Sequence, residues 1–222
     1  MFKLKATLTD LAIISWSVRA KALTEMLPRD VTSKLALCTI DDAGEHALVS
    51  LACLLDETLW QTYPQLNERV YVKRRDGDRC GAYFWLSRAD TWQAPFFSRL
   101  FGIPEIREPM RLSVRGPRYT FSLRGREIVE LDLASSPKRS EAEAERLAAV
   151  GLNPMTGYTL DRRGLDATKV VHTEIERSEV TVVRADPSFM KAAPLIGDRP
   201  PLVAWYVTST PFDIDLPPQR VR

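Results

Sequence analysis

The chain has 222 residues, with 31 Lys and Arg against 29 Asp and Glu and a formal net charge of +2. So small a charge gives no field to draw in nucleic acid or an anionic membrane. Hydrophobic residues at 45% and charged residues at 27% describe an ordinary folded domain, expected to span 1–222.

From the N-terminus, Leu4, Ala6 and Leu8 alternate with Lys3, Lys5 and Thr7, which predicts a half-buried strand leading into the apolar run Leu11 to Trp16. That run is far shorter than the roughly 20 residues that span a bilayer, and the start of the chain shows no signal-peptide pattern; a cytoplasmic protein is expected. Ser17 offers an N-cap for a helix over about 18–27, stopped by Pro28.

Residues 34–40 and 46–56 have strand composition around the turn Asp41 to Gly44. A second hairpin is clearer: Val70 and Val72 lead to Asp76-Gly77, and Ala82, Phe84 and Leu86 return. Asp90 or Thr91 would cap a helix ending near Phe101. From Met110 to Leu133 the pattern is a three-stranded meander with turns at Gly116-Pro117 and Gly125. Ser140 and Glu143 form a capping box for a helix over 141–150. Strand-like runs at 169–175, 179–184 and 202–209 precede a Pro-rich tail, 211–222, expected to be loosely ordered. The class is α+β: a largely antiparallel, strongly curved or closed sheet with a few short helices.

Three cysteines, Cys38, Cys53 and Cys80, are odd in number and widely spaced. They suggest buried reduced thiols rather than a disulfide framework or a metal clip. With only two histidines, no metal-site spacing is present, and no Gly-x-Ser-x-Gly elbow, Walker loop or dinucleotide fingerprint occurs, so no cofactor is expected. Lys73, between cationic neighbours, reads first as part of a solvated hairpin tip and only second as an activated amine. His172 has Glu174 on its own face at period two, but a structural histidine accounts for it as well.

Trp16-Ser17-Val18, Asn67 to Val72, Phe84-Trp85-Leu86-Ser87 and Phe101-Gly102-Ile103-Pro104 together resemble an uncharacterised bacterial family with YqjF-like members, a branch of the acetoacetate decarboxylase-like superfamily. In the decarboxylases a Gly-Phe-Pro turn precedes paired lysines, one of which forms a Schiff base with a β-keto acid. The similar turn here continues Glu105-Ile106-Arg107, with no lysine at the matching place, so imine chemistry is not expected there.

The resemblance implies a pocket within a cone-like β structure, with Glu68, Arg69, Glu105 and Arg107 near its mouth or wall. Arg69 or Arg107 would hold an anionic group of a small organic acid or carbonyl ligand by bidentate hydrogen bonds, and Glu68 or Glu105 would give or take a proton. Glu105 and Glu108 with Arg107 and Arg111 could form a buried acid–base cluster, but a surface ion-pair strip accounts for them better. The competing class is a non-catalytic ligand-binding or interaction protein, and the sheet edges of a partly open barrel leave room for a homodimer.

Overall fold

The structure, a computed structural model, describes residues 2–58, 61–77, 79–93, 105–173 and 175–221. Its first strand, β1 (Phe2–Arg19), pairs antiparallel with both β3 (His46–Glu57) and β14 (Val203–Leu216). From β3 the sheet continues through β4 (Thr62–Arg74) to β5 (Gly81–Ala89), then in parallel to β10 (Thr156–Asp161) and antiparallel to β11 (Gly164–Val171). Strand β11 pairs β14 through Val170–Ile214 and Val171–Asp213, so these seven strands follow one another in a ring.

Short strands border the ring: β2 (Leu35–Leu37) on β4, β6 (Glu105–Arg107) parallel to β5, β12 (Ser178–Glu179) on β14, and β15 (Gln219–Arg220) on β11. A second sheet has the order β13 (Thr181–Ala185), β9 (Arg126–Asp132), β8 (Arg118–Leu123), β7 (Met110–Arg115). The helices are short: α1 (Ala20–Met26), α2 (Arg29–Thr32), α3 (Glu141–Gly151) and α4 (Ala193–Ile196). The α+β class with a curved, mostly antiparallel sheet is therefore the observed one.

Alternation along the ring strands divides the core. Ile14, Trp16, Val49, Leu51 and Val70 join Tyr119, Phe121 and Leu131 of the second sheet in one cluster. Their neighbours Ile13, Leu48, Tyr71 and Trp205 join Leu147 and Ala148 of α3 in another. Both faces of the wall are thus covered. Gly151 lets α3 approach, since a Cβ there would stand 2.9 Å from the Trp205 ring. The meander turns carry Gly116 and Gly125 at φ 57° and 78°, a region that favours glycine.

Several local expectations change. Strand β1 runs through Ser17, so the first helix starts only at Ala20, without a side-chain cap. Residues 35–37 pair with β4, and only a bridge from Thr39 to Ala47 links this segment to β3. The helix expected near 91–101 falls largely outside the described residues. Ser140 caps α3 as expected, accepting from the Glu143 N–H at 3.3 Å. The tail is paired rather than loose as far as Leu216, with Pro211 opposite Thr7, and Gln219 and Arg220 sit on β11.

Cys38 and Cys80 form a disulfide, which corrects the expectation of reduced thiols; only Cys53 is a free, buried thiol. The reason is topological. Cys38 follows β2, which lies along β4, and its N–H donates to the Tyr71 carbonyl, while Cys80 immediately precedes β5, the strand on the other side of β4. Residues 42 apart in sequence thereby come to a Cα–Cα distance of 6.2 Å. Replacing both cysteines by alanine is expected to lower the free energy of unfolding by about 2–4 kcal/mol, because the released loop regains its freedom in the unfolded chain. Denaturant unfolding under non-reducing conditions checks this, and equal stabilities would contradict it.

Candidate functional site

Strand β4 passes through the middle of the ring wall and presents a different chemistry on each face. Leu66, Glu68, Val70 and Val72 alternate with Tyr63, Gln65, Asn67, Arg69 and Tyr71. Glu68 sits deep inside the strand, since β4 starts at Thr62 and Pro64 pairs with Leu55.

Glu68 is fully buried and works as a clamp. Its two carboxylate oxygens accept the backbone N–H groups of Lys191 and Ala192 at 2.8 and 2.9 Å, at the entry to α4. Opposite it, the β4–β5 register skips Trp85, a β-bulge. The Trp85 carbonyl takes the Lys191 ammonium at 2.7 Å, and that ammonium stands 5.9 Å from the Trp85 ring centroid. Burial raises the Glu68 carboxyl, and the two N–H donors pull it back down. On the same side Arg88 pairs with buried Glu108 at 3.2 Å, lies over the Phe189 ring, and shares Glu108 with Arg124. These contacts hold the 186–196 segment against the wall.

The other face carries a separate carboxyl system. Glu105, on β6, accepts from the Gln65 amide at 2.5 Å and from the Ser87 hydroxyl at 3.4 Å, and Ser87 also donates to Asn67 at 2.6 Å. Farther along, Tyr63 donates to Asp56 Oδ2 at 3.1 Å, leaving the buried Oδ1 with no hydrogen-bond partner. Burial pushes Glu105 up to about 7, assisted by the charge of Asp56 and opposed by the Gln65 and Ser87 hydrogen bonds. Burial likewise pushes Asp56 up to about 6, with Tyr63 opposing and Glu57 adding to the shift. Two carboxyls on one face therefore change charge near neutrality.

Arg69 continues this face. It is 9% exposed, lies opposite Ser50 in the β3 register, and makes no ion pair among the described residues. Its Nε and Nη2 are buried without a partner, as is the Tyr71 hydroxyl two residues on. These two nitrogens form one edge of the guanidinium, the edge that meets a carboxylate through two parallel hydrogen bonds.

The four expected site residues are thus not gathered together. Arg69 and Glu105 share a face, Glu68 is on the opposite one, and Arg107 is exposed on β6 opposite Ala89. Nor is there a single Glu105–Glu108 cluster, because Glu108 belongs to the Arg88 side and Arg111 is exposed. Asp56, Tyr63, Gln65 and Asn67 were not anticipated; the polar period-two series on a strand otherwise rich in apolar residues is the sequence signal that marks them. Lys73 lies at the hairpin as expected, next to an exposed Arg74–Asp76 pair. His172 stacks on Phe212 at 4.8 Å, and Glu174 lies outside the described residues. Among the described residues no group of three His, Cys, Asp or Glu could hold a metal ion. A groove of about 440 Å³ beside α3, lined by Ala144, Ile175, Arg177 and Trp205, is remote from these carboxyls in the sheet.

This fold is shared with acetoacetate decarboxylase-like proteins. The acetoacetate decarboxylase of Legionella pneumophila superposes with a TM-score of 0.63 at 15% identity, over 99% of this chain and 87% of that one. An acetoacetate decarboxylase-like enzyme from Sphingomonas wittichii RW1 gives 0.60 at 12%, over 99% and 92%. The enduracididine biosynthesis enzyme MppR complexed with pyruvate gives 0.56 at 12%, over 95% and 88%. Within this fold, the chain belongs to the DUF2071 family of uncharacterized conserved proteins, whose model matches residues 5–209. No curated protein matches it significantly.

The pH dependence of stability reports on the Glu105 system. Its proton is held more tightly in the folded than in the unfolded chain, so its contribution is fully favourable below the ordinary 4.5 and is lost as pH rises through about 7. Glu105→Gln, which cannot ionise, is expected to gain on the wild type over that range by on the order of 3 kcal/mol. Thermal or urea unfolding of both proteins across the interval checks this; a constant difference would contradict it.

Proposed function

We propose that the protein binds a small organic acid or carbonyl compound on the polar face of β4, with Arg69 holding the anionic group and Glu105 exchanging a proton with the ligand. The observation that carries this reading is the Arg69 guanidinium, buried with one edge unpartnered and no neutralising carboxylate among the described residues. An uncompensated buried charge costs several kcal/mol. A ligand carboxylate meeting that edge would supply the missing charge and both acceptors at once.

The shared fold supports the ligand class by analogy, since one neighbour is a decarboxylase of acetoacetate and another is complexed with pyruvate. The chemistry differs at one place: a carboxyl, Glu105, follows the Gly-Ile-Pro segment where the decarboxylases have the amine, and a carboxyl cannot form an imine. That observation also favours a second reading, in which the protein binds such acids without turning them over.

Calorimetric titration with two- to six-carbon monocarboxylates and their neutral amides tests the assignment. The acids are expected to bind and the amides not. Arg69→Gln is expected to weaken acid binding by roughly 30-fold or more, the usual cost of removing one partner of a buried charge pair, with unchanged circular dichroism. Equal binding of acids and amides, or an unaltered affinity in the variant, would overturn the role of Arg69.

A further inference from the structure

We infer that the wedge between α1, α2 and β2 is a second binding site, one for a small carboxylic acid whose body is a phenyl ring or a compact branched chain. It lies apart from the polar face of β4 and does not rest on the role of Arg69.

The wedge originates in the sequence. Pro28 has no backbone N–H to give and disfavours helical geometry in the residue before it, so α1 stops at Met26, Leu27 is extended, and α2 restarts at Arg29. Between this bent pair of helices and β2 a cavity of about 170 Å³ remains. Its floor is made by Leu27, Val31, Leu35 and Val72, all buried in the cluster that includes the second sheet. Alternation along β4 sets Val72, with Val70, away from the face that carries Arg69. Apolar side chains give water none of the two to four polar partners that hold it in a cavity, and a cavity of about 150 Å³ with such walls takes a benzene ring. The volume therefore suits a phenyl ring or a branched chain of about four or five carbons.

The rim supplies the charge. Arg75, exposed just beyond the end of β4, lines the cavity and donates through Nη2 to the Thr32 carbonyl at 2.7 Å, which holds its guanidinium beside the last residue of α2. The adjacent carboxylate, Asp76, is taken by Arg74 at 3.2 Å, and Arg75 makes no ion pair among the described residues. A guanidinium carries five N–H donors, so the bond to Thr32 leaves others for a ligand carboxylate. Thr24, exposed on α1, lines the cavity as well. An acid whose ring or chain enters the apolar floor while its carboxylate stays at the rim matches both halves of the site. A neutral analogue of the same shape matches only the floor.

Methyl-resolved carbon–proton NMR during titration with phenylacetate, 4-methylpentanoate and the neutral phenylacetamide tests this, because it reports where a ligand sits as well as whether it binds. Both acids are expected to shift the methyl signals of Val31, Leu35 and Val72 saturably, and phenylacetamide to do so more weakly. Arg75→Gln is expected to weaken the acids by about threefold to tenfold, the range between an exposed and a well-formed charged hydrogen bond. Thr24→Phe, which places a ring at the cavity, is expected to abolish the shifts with unchanged circular dichroism. The same shifts are expected in Arg69→Gln, where the polar face of β4 has lost its cation. No saturable shift of these methyls with either acid would overturn the site. Equal affinity for acid and amide, or an unaltered affinity in Arg75→Gln, would overturn the acid as its ligand, and loss of the shifts in Arg69→Gln would overturn its independence from the polar face.

Discussion

Period-two alternation along β4 is the constraint on which the arrangement rests. The strand is flanked by β3 and β5 within the ring, and its two faces pack into the clusters that include the second sheet and α3, so each polar residue must find a partner or pay for its burial. Glu68 finds its partners in two backbone N–H groups of the 186–196 segment. Gln65 and Asn67 find theirs in Glu105 and Ser87. Arg69 and Tyr71 retain buried polar atoms that the protein leaves unpartnered.

That contrast separates architecture from chemistry. A carboxylate receiving two backbone N–H groups is held in one place and has little left to offer a substrate, so Glu68 docks a segment onto the wall. The bulge at Trp85 belongs to the same device, for it releases a carbonyl that binds Lys191. Asp56 accepts from a phenol, and Glu105 accepts from an amide and a hydroxyl. Burial then moves both toward neutrality. A guanidinium on the same face, with one edge buried and unpartnered, completes this polar surface.

The sequence displayed the elements with strong local signals. The Asp-Gly hairpin, the meander with its two glycine turns and the Ser140-capped helix depend on neighbours in the chain, and each is where its residues indicated. Pairings between distant segments were hidden. The crossing of β2 onto β4 is what brings Cys38 to Cys80, and the return of β14 along β1 is what orders residues 211–216, neither of which has a local signature. Glu68 and Arg69 illustrate the difficulty at the site: adjacent in sequence and grouped by their chemistry, they point to opposite faces once the strand runs through both. The Asp56–Tyr63 pair needed the β3–β4 register, and Glu105 needed the parallel docking of β6 on β5.

The most direct test of the central claim is a crystal structure of the protein soaked with levulinate at neutral pH. The account predicts the ligand carboxylate on the Nε and Nη2 edge of Arg69. Density for the acid on the Lys191 side of β4, or an Arg69 edge filled by ordered water with the ligand elsewhere, would contradict it.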